Sequence, residues 1–228
     1  MNKKIPCLDL KGQHQQIKKE VFDAFEQVYE QTAFSGGPFV AEFEKDFAAF
    51  CGTRYAIGVN NGTTALHLAM LALGIGAGDE VIVPANTFIA TAWGVTHAGA
   101  TPVFIDCDPD TWEIDPRRIE EKINSKTKAV IGVHLYGQPF DIEAVEKICR
   151  RHSIYLIEDA AQGLMARYNG RALGSFAPLS ALSFHETKNI ISGEGGALLI
   201  NDLEYSERAE IISEKGTNRS QFFRGQVD

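Results

Sequence analysis

One lysine poses the chemical question in this sequence. Lys188 stands in SFHETKNIISGEGGALLI, residues 183–200, preceded by Ser, His, Glu and Thr and followed by Gly193, Gly195 and Gly196. A lysine amine becomes nucleophilic where a dry or electropositive site disfavours its ammonium, and it can then condense with a carbonyl. Glycines beside it let backbone pass close to a bound molecule. The competing account is a lysine on a surface turn. Upstream, Asp159 closes the apolar run IYLIED, where open α/β sheets place ligand-binding groups. A buried carboxylate there needs a partner: an arginine, a backbone cap or a protonated ring nitrogen. Earlier still, in VNNGTTALHLAM, a strand ends at Val59 and a helix starts near Thr63. Free N–H groups at the helix start, close approach at Gly62 and the hydroxyls of Thr63 and Thr64 make a phosphate cup. The same residues also fit an ordinary turn with Thr63 as N-cap.

Taken in chain order, the cup, Asp159 and Lys188 match the needs of pyridoxal 5′-phosphate. The cup takes the phosphate, Asp159 keeps the pyridine nitrogen protonated so that the ring acts as an electron sink, and Lys188 carries the aldehyde as an imine. Ser183 adds a hydroxyl for the phosphate. Phe88, in PANTFIAT, is placed to stack on the ring, and Gln162 to hydrogen-bond its phenolic oxygen.

The elements that must position these residues alternate. YAIGV, EVIVP, TPVFID, KAVIGVHL, IYLIED and SALSF read as strands. TTALHLAMLALG, IATAWGVTHAG, DPRRIEEKI and DIEAVEKICRRH between them read as helices. Such alternation predicts an α/β domain with a mainly parallel sheet covered by helices. Two amphipathic helices precede it: Ile17, Val21, Phe25 and Val28 make one stripe, and Phe39, Phe43, Phe47 and Phe50 a second, with Pro38 opening the helix. These aromatics are expected to pack in the core. The expected division is a helical segment over 1–50 packing on a large domain over 51–228.

The 228 residues are 44% hydrophobic and 23% charged, enough for a sizeable core and too apolar for disorder. A net charge of -8 argues against general binding to nucleic acid or membrane surfaces, which rely on excess Lys and Arg. Cys7, Cys51, Cys107 and Cys149 are scattered with no C-x-x-C pair, and no run of secretory or membrane-spanning length appears, so reduced thiols and a cytoplasmic location are expected. GIGAGDE, residues 74–80, is the best case for a dinucleotide-binding fingerprint. It follows a helix and precedes a strand, the reverse of that motif. No zinc-type ligand spacing is present, so no metal is expected.

With NNGTTALHLAMLALGIGAGDEVIVPANTFIATAWGVTHAGATPVFID, VHLYGQPFDI, IEDAAQ and SFHETKN…GEGGA, the chain resembles the DegT/DnrJ/EryC1/StrS family of pyridoxal-phosphate-dependent sugar aminotransferases. The resemblance implies the aspartate-aminotransferase fold (fold type I) and a homodimer. It implies Lys188 as the Schiff-base lysine, Asp159 as partner of the pyridine nitrogen, and Thr63, Thr64 and Ser183 on the phosphate. Phe88 on the ring and Gln162 on the phenolic oxygen complete the set. Relatives that dehydrate sugars carry His at the lysine position, so Lys188 favours transamination from L-glutamate to a nucleotide-linked keto-sugar. Relatives continue into a small C-terminal domain where this chain ends at RGQVD. The segment from Tyr168 to Asp228 is similar to transaminases that form dTDP-4-amino-4,6-dideoxygalactose, whereas FSGGPFVAEFEKDFAAFCGTRYAIGVNNGTTALHLAM is equally similar to enzymes aminating C3 of dTDP-keto-sugars. Lys215, Arg219 and Arg224 in the tail are candidates for the nucleotide diphosphate. The resemblance suggests a pathway to cell-surface polysaccharide or to a glycosylated natural product, with sugars of the enterobacterial common antigen or lipopolysaccharide type as the first expectation.

Overall fold

The computed structural model describes Ile5 and residues 8–226, without the side chains of Ser220 and Phe223. Cys7 and the outermost residues of both expected domain ranges lie outside the described residues. The chain opens with helices α1 (Leu10–Glu30) and α2 (Pro38–Cys51). There follow β1 (Tyr55–Val59), α3 (Gly62–Ala72), β2 (Glu80–Pro84), α4 (Ala90–His97) and β3 (Thr101–Ile105). Then come α5 (Pro116–Ile119), β4 (Thr127–Val133), α6 (Ile142–His152) and β5 (Tyr155–Asp159). A small hairpin, β6 (Arg167–Tyr168) with β7 (Arg171–Ala172), precedes β8 (Leu179–Ser183), β9 (Gly196–Ile200), α7 (Ser206–Ser213) and α8 (Arg219–Phe223).

Among the described residues the main sheet has seven strands in the order β1-β9-β8-β5-β4-β2-β3. All run parallel except β9, which is antiparallel to both β8 and β1. The central strands are apolar on both faces because both are covered, and in β4 only Lys128 is exposed. One core layer joins α3 to the sheet through Leu66, Met70, Val81, Ile131, Ile157 and Leu198. The opposite layer packs α6 through Ile142, Val145 and Ile148 against Ile82, Val130 and Leu156.

The two leading helices differ. Pro38 opens α2 as its position predicts, and α2 buries Phe47, Ala48 and Cys51 against Leu182, Phe184 and Leu199. Helix α1 buries none of its residues, and Phe22, Phe25 and Tyr29 on it are exposed. Of the aromatics expected in the core, Phe47 is buried, Phe39 is half-buried, and Phe25, Phe43 and Phe50 remain exposed. No helix among the described residues is long and apolar enough to cross a membrane.

Candidate functional site

The C-terminal ends of β4, β5 and β8 and the N-terminus of α3 together line a cavity of about 440 Å³. That volume lies within the range of small-molecule and cofactor pockets. At the α3 end, the first N–H groups of a helix have no partner inside the helix. Asn61, rather than Thr63, is the cap: its Oδ1 accepts the Thr64 N–H at 2.8 Å and its carbonyl accepts that of Ala65. The Gly62 and Thr63 N–H groups have no acceptor among the described residues, and both residues line the cavity. Ser183, at the end of β8, lines it beside Gly62, while Thr64 does not line it.

This closeness depends on two glycines. A Cβ on Gly62 would meet the Ser183 Cβ at 3.0 Å, and one on Gly196 would meet the Asn61 carbonyl carbon at 2.5 Å. The last glycine of the cluster after Lys188 therefore makes room for the turn that opens α3, which seats that helix against β8 and β9. Lys188 itself stands in the loop between those two strands, with its N–H on the His185 carbonyl at 2.9 Å. The loop base is closed by the Phe184 N–H on Gly195 and by a bridge between His185 and Gly193.

Asp159 is buried where β5 enters the cavity. Its Oδ2 accepts from Thr91 Oγ1 at 2.7 Å, and its Oδ1 from the Ala161 N–H at 3.2 Å. Thr91 Oγ1 is in turn 2.8 Å from Thr87 Oγ1. Burial pushes the Asp159 carboxyl up, against the pull of the Thr91 and Ala161 hydrogen bonds and of Lys188. Burial also holds the Lys188 ammonium below the ordinary lysine range, with Asp159 opposing. A carboxyl that resists ionisation and a lysine that resists protonation thus share one cavity, the arrangement expected where a charged ligand completes the electrostatics.

The preceding residue, Glu158, points elsewhere and is saturated. His134 Nε2 lies 2.9 Å from its Oε1, and the Gly174, Phe176 and Ala177 N–H groups and Ser180 Oγ all donate to it. Burial opposes its charge, but the His134 hydrogen bond and the backbone donors outweigh burial and hold its carboxyl below the usual range. His134 stacks on Phe140, with ring centroids 4.8 Å apart, and its buried Nδ1 has no partner among the described residues.

Gln162 and Phe88 both line the cavity. Gln162 Oε1 accepts the Tyr136 N–H at 2.6 Å, which fixes the amide orientation and leaves its NH2 as a donor. Phe88 is largely exposed. The cavity therefore brings together Gly62, Thr63, Phe88, Asp159, Gln162, Ser183 and Lys188. Lys215, Arg219 and Arg224 do not line it, and Arg224 reaches Glu210 with Nη2 at 2.7 and 2.6 Å in a separate cleft beside Glu44 and Tyr55.

Sequence reasoning missed Thr91, Thr87, Asn61 and the Glu158–His134 pair. The spacing of Thr87 and Thr91, one helical turn apart around Phe88, carries a signal for the first two. Nothing in the spacing marks Glu158 with His134, because strand pairing alone brings them together.

The residues present fit pyridoxal phosphate: a helix N-terminus with unused donors, a buried carboxyl and a desolvated amine surround one cavity of suitable size. Comparison with known proteins agrees. The chain is 47% identical over 191 residues to GDP-perosamine synthase of Caulobacter vibrioides, covering 83% of this chain and 52% of that protein. It is 41% identical over 217 residues to dTDP-3-amino-3,4,6-trideoxy-alpha-D-glucose transaminase of Streptomyces venezuelae, covering 95% and 57%. The crystal structure of NtdA from Bacillus subtilis with bound cofactor PMP superposes with a TM-score of 0.86 at 34% identity, covering 93% of this chain and 49% of that one. The chain thus spans about half the length of these relatives. Residues 15–227 match the family model described as the DegT/DnrJ/EryC1/StrS aminotransferase family, to which this chain belongs.

Proposed function

We propose that this chain is the cofactor-binding part of a pyridoxal-phosphate-dependent nucleotide-sugar aminotransferase, with L-glutamate as amino donor. The observation that carries it is the convergence of Lys188, Asp159 and the start of α3 on one cavity. When bound, the cofactor supplies an electron sink for the carbon from which a proton is removed. The chain's residues would do the rest. The Gly62 and Thr63 N–H groups, with the hydroxyls of Thr63 and Ser183, would take the phosphate, and Thr64 would hold the turn through its cap. Asp159 would face the pyridine nitrogen, Gln162 would donate to the phenolic oxygen, and Phe88 would cover one ring face. Lys188, with its ammonium disfavoured by burial, would supply the free amine that bonds the cofactor and then moves the proton.

Lys215, Arg219 and Arg224 lie outside this cavity, so a nucleotide diphosphate using Arg224 would have to exchange with Glu210. Residues 1–50 as a helical segment and 51–228 as the cofactor-binding domain belong to the same proposal. So do a homodimer, for which the exposed apolar residues of α1 offer a surface, and a cytoplasmic location.

The segment from Tyr168 to Asp228 favours amination at C4 of a dTDP-4-keto-6-deoxy-hexose. The second assignment is C3 of a dTDP-3-keto-6-deoxy-hexose; the name of the Streptomyces relative supports C3 as the aminated carbon, on a sugar that is also deoxygenated at C4. The test is borohydride reduction of the protein incubated with pyridoxal phosphate, then peptide mass mapping and assay of L-glutamate with each keto-sugar. Cofactor mass fixed at Lys188, absent in Lys188→Ala, is the expected result, with the aminated product identifying the carbon. A folded chain with no mass at Lys188 would overturn the cofactor assignment. Mass at Lys188 with neither sugar aminated would leave a non-catalytic cofactor-binding unit.

A further inference from the structure

Lys188 stands on a largely exposed, glycine-containing loop, and two side chains fasten that loop on either side of it. Three residues before the lysine, the His185 ring folds back on its own chain. Its Nδ1 accepts the Thr187 N–H at 3.2 Å and lies 2.9 Å from Thr187 Oγ1. A backbone N–H can only donate, so Nδ1 is bare and the ring proton sits on Nε2, which faces Glu194 Oε1 at 3.7 Å. The His185 carbonyl meanwhile accepts the Lys188 N–H at 2.9 Å. Ring and carbonyl of one residue therefore hold the two backbone N–H groups that lead up to the lysine side chain. One residue after the lysine, Asn189 Nδ2 donates to the Leu164 carbonyl at 3.1 Å. Leu164 is buried in the segment that follows β5, where Ala161 and Gln162 line the cavity. His185, Thr187 and Glu194 line the same cavity as Lys188, whereas Asn189 does not. Unfastened, such a loop would sample many conformations, and a nucleophile has to stand within about 3–3.5 Å of the atom it attacks.

We propose that His185 and Asn189 are positioning residues for Lys188: the His185 ring shapes the turn that presents the amine, and Asn189 fastens the same loop to the segment after Asp159, so that amine and buried carboxyl keep one separation. Nδ1 is taken by Thr187 and Nε2 faces Glu194, so the ring is placed to hold the loop rather than to meet a ligand. The consequence for a cofactor rests on the cavity being its site; the clamp itself does not. The titratable side chains that line the cavity around the amine are Asp159 from β5 and His185 and Glu194 from the loop, while α3, α4, β4 and β8 contribute none. With the ring neutral and Asn189 uncharged, replacing either changes where the amine stands and leaves these charges as they were.

The experiment measures the reactivity of the Lys188 amine in the full chain without cofactor. Lysines are methylated with limiting formaldehyde and cyanoborohydride across the alkaline range, and peptide mass mapping reads Lys188 against the exposed Lys128 and Lys147. In wild type, Lys188 should become reactive at lower pH than these references, because burial holds its ammonium below the ordinary lysine range. His185→Leu and Asn189→Ala should each let the loop open and move the Lys188 profile toward the references. In His185→Asn the side-chain oxygen can accept the N–H two residues on, as asparagine does in turns, so the wild-type profile should return. A wild-type profile in His185→Leu or in Asn189→Ala would overturn the assignment, as would a His185→Asn profile like that of His185→Leu. Borohydride fixation of pyridoxal phosphate supplies the second arm: its rate at Lys188 should fall by about tenfold or more in His185→Leu and Asn189→Ala and recover in His185→Asn. Equal rates in all four chains would overturn the link from the clamp to the cofactor. No fixation in any chain, with the methylation pattern as expected, would instead count against the cofactor site and leave the clamp standing.

Discussion

Glu158 and Asp159 are adjacent on β5, both buried, and their surroundings are opposite. Glu158 faces the turn before β8 and accepts from His134, three backbone N–H groups and Ser180. Asp159 faces the cavity and accepts from Thr91 and the Ala161 N–H. The carboxyl of Glu158 is held low and that of Asp159 is pushed up. Burial is common to both, so the difference lies in how many donors the fold supplies. A saturated carboxylate fixes structure, whereas an undersupplied one keeps capacity for a donor that the chain does not contain. On this comparison Glu158 holds the strand end in place, and Asp159 is left with the capacity that the proposed function assigns to it.

The largest expected effect is at the saturated residue. Glu158→Ala leaves the His134 ring, three backbone N–H groups and the Ser180 hydroxyl without their common acceptor. Breaking a buried pair from one side costs about 3–5 kcal/mol, so urea denaturation should show a loss of that order or a chain that no longer folds. Ser180→Ala removes one donor, at 3.0 Å, and should cost about 1.5 kcal/mol, near the lower end for hydrogen bonds to charged groups. On the other side of the strand, Thr91→Val is isosteric and removes the 2.7 Å donor to Asp159, for about 1 kcal/mol. Its sharper signature is in binding: pyridoxal phosphate affinity, measured by fluorescence titration, should fall more than stability does. If Ser180→Ala impaired cofactor binding as much as Thr91→Val, the division of labour between the two faces would be wrong.

Much of this arrangement is legible in the sequence, and the parts that are not share a cause. YAIGV and EVIVP read as strands with the bounds that β1 and β2 have, because turn residues flank each run. KAVIGVHL starts one residue late and reads two residues too far, since β4 runs from Thr127 to Val133 and His134 and Leu135 already lead into the turn at Tyr136. DPRRIEEKI shrinks to α5 and a 3-10 turn over Glu120–Lys122. The reversed direction of β9 leaves no mark, because a strand buried on both faces has the same apolar composition either way. At the site, Asp159 and the α3 start stand out by their place at element ends, and Lys188 by its place before the glycines of the loop between β8 and β9. Glu158 and His134 do not, because their partnership arises from β4 pairing with β5, which no local pattern encodes. Arg224 illustrates the converse: its residue type suits a diphosphate, but the fold brings it to Glu210.

The smallest expected change in stability is also the sharpest test of the comparison. Asp159→Asn keeps the shape and removes the charge. The Thr91 hydroxyl can turn to accept from the new amide while donating to Thr87, so the local hydrogen bonds survive. Because the folded-state carboxyl of Asp159 is raised, wild type loses stability as pH rises above the ordinary aspartate range toward that raised value. Thermal denaturation of the cofactor-free chain should therefore show Asp159→Asn level with wild type at low pH and slightly more stable at neutral pH. Glu158→Gln should behave in the opposite sense. Its carboxyl is depressed in the fold, so the stability it contributes is present above the ordinary glutamate range and fades as pH falls through the depressed value. The Glu158→Gln deficit should consequently be large at neutral pH and shrink in acid. Parallel pH profiles for the two variants would mean that both carboxyls serve the fold alike. Profiles of opposite slope would separate, within two residues of one strand, the group that holds the site from the group that waits for its ligand.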